Sequence, residues 1–227
     1  MTIEKKSILV LDTECCDLKG HVYDVGYTVT NRKGEILTTY NALVEEIFTD
    51  ADFMMGAFYA KKLFTHYAPM LDRGEISIKP WAEIVGQMRD DANTYGVNVV
   101  AAYNMGFDRR VMRHTNKLLG DNDAVFAGCF PQPRMLDIWQ FACETKLSTA
   151  TYKQIARCNG WVSSKGNIRT GAEYAYRFCS GDHGFIEDHT ALSDAIIETD
   201  ILTACYASKK RVPYGVMNAQ HWRIVNA

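Results

Sequence analysis

After a short polar lead, the chain runs through Ile8-Leu9-Val10-Leu11 and changes at once to Asp12-Thr13-Glu14. A brief, unbroken apolar run closed by polar residues predicts a buried strand over residues 7–14. Apolar and polar positions alternate over 23–30, the turn residues Asn31-Arg32-Lys33-Gly34 follow, and alternation resumes over 35–44. That pattern is a hairpin, so three strands open the fold. A helix is predicted over 49–72, with Met54, Met55, Phe58, Lys62 and Phe64 on mixed faces. Pro80 suits the first turn of a helix over 81–95. A short apolar strand follows at 97–103, then a helix at 108–119 stopped by Gly120. The last strand falls at 134–138. Helices follow at 138–145 and 151–159, then a glycine-rich loop and a long helix over 190–209.

The order β-β-β-α-α-β-α-β-α-α-α predicts an α/β protein. Its sheet is mixed and five-stranded, with the first three strands antiparallel and helices flanking it. No repeat, linker or low-complexity tract divides the 227 residues, so the expectation is one domain over 1–227, with 45–80 reading as a helical insertion.

Composition narrows the class. Apolar residues at 47% and charged residues at 23% are ordinary for a globular chain. No apolar run approaches ~20 residues, so no membrane helix is expected. The first apolar run is also too short for a signal peptide, which points to the cytoplasm. Lys+Arg number 25 against 27 Asp+Glu, unlike a protein that coats nucleic acid. An enzyme gripping one strand end needs few phosphate contacts, so a nuclease stays open. The seven cysteines are odd in number and form no C-x-x-C pair, which argues for reduced thiols rather than disulfides or a zinc ribbon.

Four acids carry the candidate chemistry. Asp12 and Glu14 end the first strand two residues apart, so both point to one face. Two carboxylates side by side repel, and a bound cation relieves the repulsion. Alternatively the pair is a solvated strand end. Asp108, in Asn104-Met105-Gly106-Phe107-Asp108, follows a strand and begins a helix. It suits the helix dipole, and it also stands at the sheet end where α/β proteins place ligands. Asp194 shares a helical stripe with Ile197, Ile201 and Cys205, where a carboxylate is costly without a partner. His189 precedes it by five residues. The competing pair His183 and Asp188 is set aside because Asp188 lies before the apolar segment and reads as an N-cap.

Three segments in this order carry a family resemblance: Asp12-Thr13-Glu14 after an apolar strand, Asn104-x-x-Phe107-Asp108, and His189-Thr190-Ala191-Leu192-Ser193-Asp194-Ala195. Together they resemble the DEDDh, or DnaQ-like, 3′–5′ exonucleases, with a ribonuclease H-like fold, across roughly residues 7–207. Histidine rather than tyrosine in the third segment marks the subgroup. The resemblance implies a two-metal hydrolysis of phosphodiester bonds at the 3′ end of single-stranded DNA or RNA, releasing nucleoside 5′-monophosphates. It implies two Mg²⁺ or Mn²⁺ ions, with Asp12, Glu14, Asp108 and Asp194 as ligands and His189 as general base. It also implies that Thr13, Cys15, Asn104 and Phe107 contact the terminal nucleotide. No polymerase segment occurs in these residues, so a proofreading role would call for a separate DNA polymerase. The chain departs from the pattern at Cys15-Cys16-Asp17, where small hydroxyl residues and glycine are frequent, and at Tyr103, where histidine is.

Other readings stay open. The same fold could serve as a non-catalytic module binding nucleic acid or a polymerase, or as a phosphohydrolase of free nucleotides. Arg109, Arg110, Arg113 and Lys117 form either a phosphate-binding face or a solvated one. Phe107 stacks a base or packs in the core. Met54, Met55, Phe58 and Tyr59 line a groove or the core. Asp137 reads as a helix cap and Lys209-Lys210-Arg211 as a helix end.

Overall fold

The computed structural model describes residues 7–17, 20–57, 60–120, 134–217 and 220–227. The strands are β1 (Ser7–Cys15), β2 (Val22–Thr30), β3 (Ile36–Val44), β4 (Ser77–Lys79), β5 (Val97–Ala102) and β6 (Arg134–Asp137). They form one mixed sheet in the order β4-β3-β2-β1-β5-β6. β1, β2 and β3 are antiparallel neighbours, whereas β3–β4, β1–β5 and β5–β6 are parallel pairs. The helices are α1 (Glu45–Phe48), α2 (Ala51–Met55), α3 (Ala68–Asp72), α4 (Trp81–Thr94), α5 (Met105–Leu119), α6 (Ile138–Ala142), α7 (Ala150–Cys158), α8 (Ala172–Ser180), α9 (Ala191–Ala207) and α10 (Trp222–Asn226). Wider π-helical turns stand at Leu63–Tyr67 and Cys143–Leu147.

β1 lies inside the sheet with core on both faces, which is why its sequence is a continuous apolar run. Leu9 and Leu11 join a core with Tyr23, Val25, Trp81 and Met112. Ile8 and Val10 join a second core with Leu136, Phe141, Tyr152 and Ile201. By the same alternation, Asp12 and Glu14 continue the Ile8–Val10 face, toward α9, and Thr13 continues the other, toward α5.

α9 sets the geometry on that face. Its side chains Asp194, Ala195, Ile197, Glu198, Thr199, Ile201, Leu202 and Cys205 are all buried. Thr199 meets Thr28 of β2 through a 2.7 Å hydroxyl contact. The first turn rests on Gly26, where a Cβ would lie 2.1 Å from the Leu192 nitrogen. Only glycine permits that approach.

The structure amends several expectations. The sheet has six strands rather than five. β4 lies within the region read as a helical insertion and pairs with Ala42, Leu43 and Val44. Three residues are too few to show a period. The helix expected over 49–72 is broken. Asp50 accepts hydrogen bonds from the Asp52 and Phe53 N–H groups and so caps a new helix, α2. Pro69 lacks an N–H, and it stands in the first turn of α3. The helix expected over 138–145 becomes α6 followed by a π-helical turn. α8 occupies part of the expected glycine-rich loop and ends at Gly181 with φ 80°. α5 begins three residues early because Asn104 takes a left-handed conformation, φ 74°. Phe58, Tyr59 and Cys129 lie outside the described residues, while the other six cysteines are free thiols. Among the described residues, no helix is long and apolar enough to cross a membrane.

Candidate active site

A cleft of about 470 Å³ opens at the C-terminal end of β1. From β1 it is lined by Asp12, Thr13, Glu14 and Cys15, and from the β5–α5 junction by Tyr103, Asn104 and Phe107. His189 and Asp194 complete its wall from the start of α9. Eight of the nine residues singled out in the sequence therefore share one cavity. The ninth, Asp108, is 2% exposed and does not line it. Its Oδ1 accepts a 2.8 Å hydrogen bond from the Thr13 hydroxyl. Asp108 thus sits behind the strand, near enough to raise the Asp12 carboxyl.

Each position has a local cause. Asp12 and Glu14 share a face because strand side chains alternate. Asn104 turns the chain into α5, with its N–H 3.3 Å from Asp137 Oδ1. Asp137 also accepts from the Gln140 N–H, as a cap should, and its Oδ2 lies 3.0 Å from His221 Nε2. His189 has a left-handed backbone, φ 56°, uncommon for a residue with a side chain. The next N–H groups are fixed by acids. Thr190 N–H donates to Asp188 and Ala191 N–H to Asp24 Oδ2. His183 packs edge-on against Trp161, at 5.3 Å between centroids.

One potential ligand atom each from Glu14, His189 and Asp194 lies within 4.8 Å of the others. His189 Nδ1 is 4.0 Å from Asp194 Oδ2 and 3.6 Å from Glu187 Oε2. Asp194 Oδ1 is buried and meets no hydrogen-bond donor among the described residues. An acceptor oxygen buried in that way calls for a cation or a proton.

The electrostatics agree. Burial pushes the Asp194 carboxyl up to about 9, with Glu187 and Glu14 adding to it. Burial likewise raises Glu14 to about 8, against the opposing pull of Lys62. It raises Asp108 to about 7, and the Thr13 bond moderates that rise. Asp12 is driven well above the carboxylate range by burial, then by Glu198, Asp194, Asp108 and Glu14. So many buried acids in one place favour any divalent ion that can neutralise them. The His189 imidazole moves the other way, lowered by burial and by the Lys62 charge.

Two further acids line the cleft. Glu198, 2% exposed, stands four residues beyond Asp194 on α9 and accepts the Tyr103 N–H at 3.0 Å. The i, i+4 spacing on one helix face was the available signal for it. Glu187 has no such signal, because it belongs to an irregular loop. Phe107 is half-buried in the cleft wall with the Arg110 guanidinium 5.1 Å from its ring centre. Arg109, Arg113 and Lys117 are solvent-exposed. Met54 is core, whereas Met55 is 72% exposed.

No protein-family model and no curated protein matches this chain. Several solved structures do. An exonuclease I from Methylocaldum szegediense aligns with TM-score 0.53 at 14% identity, over 85% of this chain and 38% of that one. The zinc-bound form of an E. coli exonuclease I–single-stranded DNA complex aligns with TM-score 0.53 at 9% identity, over 91% and 41%. E. coli exonuclease I bound to a dT13 oligonucleotide aligns with TM-score 0.51 at 12% identity, over 90% and 40%. This chain therefore spans about two fifths of the exonuclease I chains it resembles. At such identities the likeness is one of fold, and the mixed sheet with its flanking helices is ribonuclease H-like, as the motifs led us to expect.

Proposed function

We propose that the chain is a metal-dependent 3′–5′ exonuclease acting on single-stranded DNA or RNA ends. The observation that carries this reading is the convergence of Glu14, His189 and Asp194 within 4.8 Å, beside a buried Asp194 oxygen that meets no donor among the described residues. The donor set fits a hard divalent cation. Carboxylate oxygens dominate it, as Mg²⁺ and Mn²⁺ prefer. On this reading Asp12, Glu14 and Asp194 hold the ions, with Glu198 beside them. Asp108, now bonded to Thr13, is the fourth acid of the set.

When bound, two such ions would neutralise the charge that builds on a phosphodiester as it is cleaved. The chain's own groups do the rest. His189, 38% exposed at its side chain, has an imidazole held below its ordinary pKa and is therefore neutral near pH 7. It can accept a proton from a water molecule at the cleft mouth. Phe107 and Tyr103 offer flat surfaces for a terminal base, and Thr13, Cys15 and Asn104 surround the space where a nucleotide would lie. Glu198, by accepting the Tyr103 N–H, ties that wall to α9. A polymerase partner belongs to this proposal only as a separate chain, should the activity serve proofreading.

The test is digestion of matched 5′-labelled DNA and RNA oligonucleotides with Mg²⁺, with Mn²⁺ and with chelator. A ladder of labelled products shortening from the 3′ end, dependent on metal, is the expected result. Intact oligonucleotides under all metal conditions would refute the proposal. Tight binding without cleavage would favour the non-catalytic alternative, and hydrolysis of mononucleotides alone would favour the phosphohydrolase.

A further inference from the structure

The segment between β3 and β4 places a basic side chain behind the cleft wall, against Glu14 and His189. Lys62, 7% exposed, places its ammonium 3.8 Å from Glu14 Oε1 and donates a hydrogen bond to the His189 carbonyl. Five residues on, the Tyr67 hydroxyl donates at 2.9 Å to Asp24 Oδ2, the same oxygen that accepts the Ala191 N–H. One turn of the insertion therefore holds both peptide groups that flank Thr190, and with them the left-handed backbone of His189. Glu14 and Asp24 also face each other across the β1–β2 pairing. Like charges directly opposite on adjacent strands are unfavourable. The Lys62 charge lowers the carboxyls of Glu14, Asp24, Glu187 and Asp194 alike. A buried lysine is costly unless it is paired, so this placement needs a purpose beyond packing.

We propose that Lys62 is a positioning residue with two effects: it fixes the His189 peptide for proton transfer, and its ammonium is a resident counter-charge with which an incoming metal ion competes at Glu14. This rests on reading the cleft as a metal-dependent nuclease site. It makes the two effects separable, because removing the charge loosens the histidine and at the same time strengthens the attraction of the acids for metal.

The experiment compares the wild-type chain with Lys62→Met, Lys62→Arg and Lys62→Gln. Mn²⁺ affinity is measured by calorimetry without nucleic acid, and kcat and KM are measured on a 5′-labelled oligonucleotide. For Lys62→Met, kcat should fall by about 10–100-fold, the scale of misplacing a reacting group. Its Mn²⁺ affinity should rise by at least about fivefold, as expected from deleting a unit charge at this distance even in a water-like medium. Lys62→Arg, which keeps a charge and donors, should recover kcat to within about threefold of wild type. A purely structural lysine predicts that metal affinity and kcat fall together and that arginine rescues neither. Unchanged or weaker Mn²⁺ binding in Lys62→Met, or a kcat within about twofold of wild type, overturns the proposal. Should the methionine variant not fold, Lys62→Gln, which loses the charge and keeps a donor, decides on metal affinity: Mn²⁺ binding should still tighten by at least about fivefold, and unchanged or weaker binding overturns the proposal. If the wild-type chain binds Mn²⁺ yet cuts nothing, the nuclease reading fails, and the affinity comparison still judges the role of Lys62.

Discussion

Replacing Asp194 with asparagine should stabilise the metal-free protein and remove its response to metal. Burial, aided by Glu187 and Glu14, holds the Asp194 carboxyl at about 9 instead of the ordinary 3.8. The folded state therefore binds this proton more tightly than the unfolded state does, so stability is greatest at low pH and is lost as pH rises from about 4 toward 9. At pH 7 about three units of that interval have been crossed, which at about 1.4 kcal/mol per unit caps the penalty near 4 kcal/mol. Glu14, Glu187 and Asp194 share the protons, so about half of this, ~2 kcal/mol, is expected from one site. Asparagine has the same size and carries no such penalty. For a chain of this length the gain corresponds to roughly 4–8 °C in Tm. Thermal unfolding followed by circular dichroism in EDTA would measure it, with the gap between variant and wild type widening from near zero at about pH 4 to its full value at about pH 9. Added Mn²⁺ should then raise the wild-type Tm and leave the variant unmoved. An asparagine variant less stable than wild type at about pH 8 in EDTA, or a gap that ignores pH, would refute the electrostatic account.

Other outcomes follow from the same geometry. Asp12→Ala and His189→Ala should each cut exonuclease activity by at least ~100-fold with an unchanged fold, read by oligonucleotide digestion and circular dichroism. At saturating metal, kcat/KM should collapse as pH falls through a value below 6.5, because His189 titrates below its ordinary range and acts only as the free base; a pH–rate profile locates the limb. Glu198→Gln keeps an acceptor for the Tyr103 N–H but removes a charge from the cluster, so kcat should drop at least ~10-fold while Tm in EDTA rises. His221 is fully buried between Asp137 and Gln140. His221→Ala leaves both without that partner and should cost about 3 kcal/mol in chemical denaturation.

Much of this was legible in the residues. The apolar run that stops at Asp12 announced a central strand carrying acids at its end, because a strand covered on both faces cannot alternate. The stripe joining Asp194 to Ile201 and Cys205 was visible because a 17-residue helix gives a period time to show. Glu198 escaped because attention to apolar neighbours on that stripe hid the second acid one turn further on. β4 escaped because its pairing is made by the main chain, which any three residues can supply. The orientation of Asp108 toward Thr13 had no signal either. Strand alternation fixes the face of a residue but not the hydrogen bond a helix residue makes across to it. Lys62 was legible only as a residue on a helix of mixed faces. Its destination depends on how the helix expected over 49–72 breaks up: α2 ends at Met55, and a separate π-helical turn begins right after Lys62.

Gly26 stands directly across β2 from Asp12. Because a methyl group there would strike the Leu192 backbone, the separation between the acids of β1 and those of α9 is gauged by a missing carbon. Even alanine would act as a shim, lifting the helix and drawing Asp194 and Glu198 away from Asp12 without touching any acid. The spacing of the acids in this cleft is thus written at a position that bears no functional group at all.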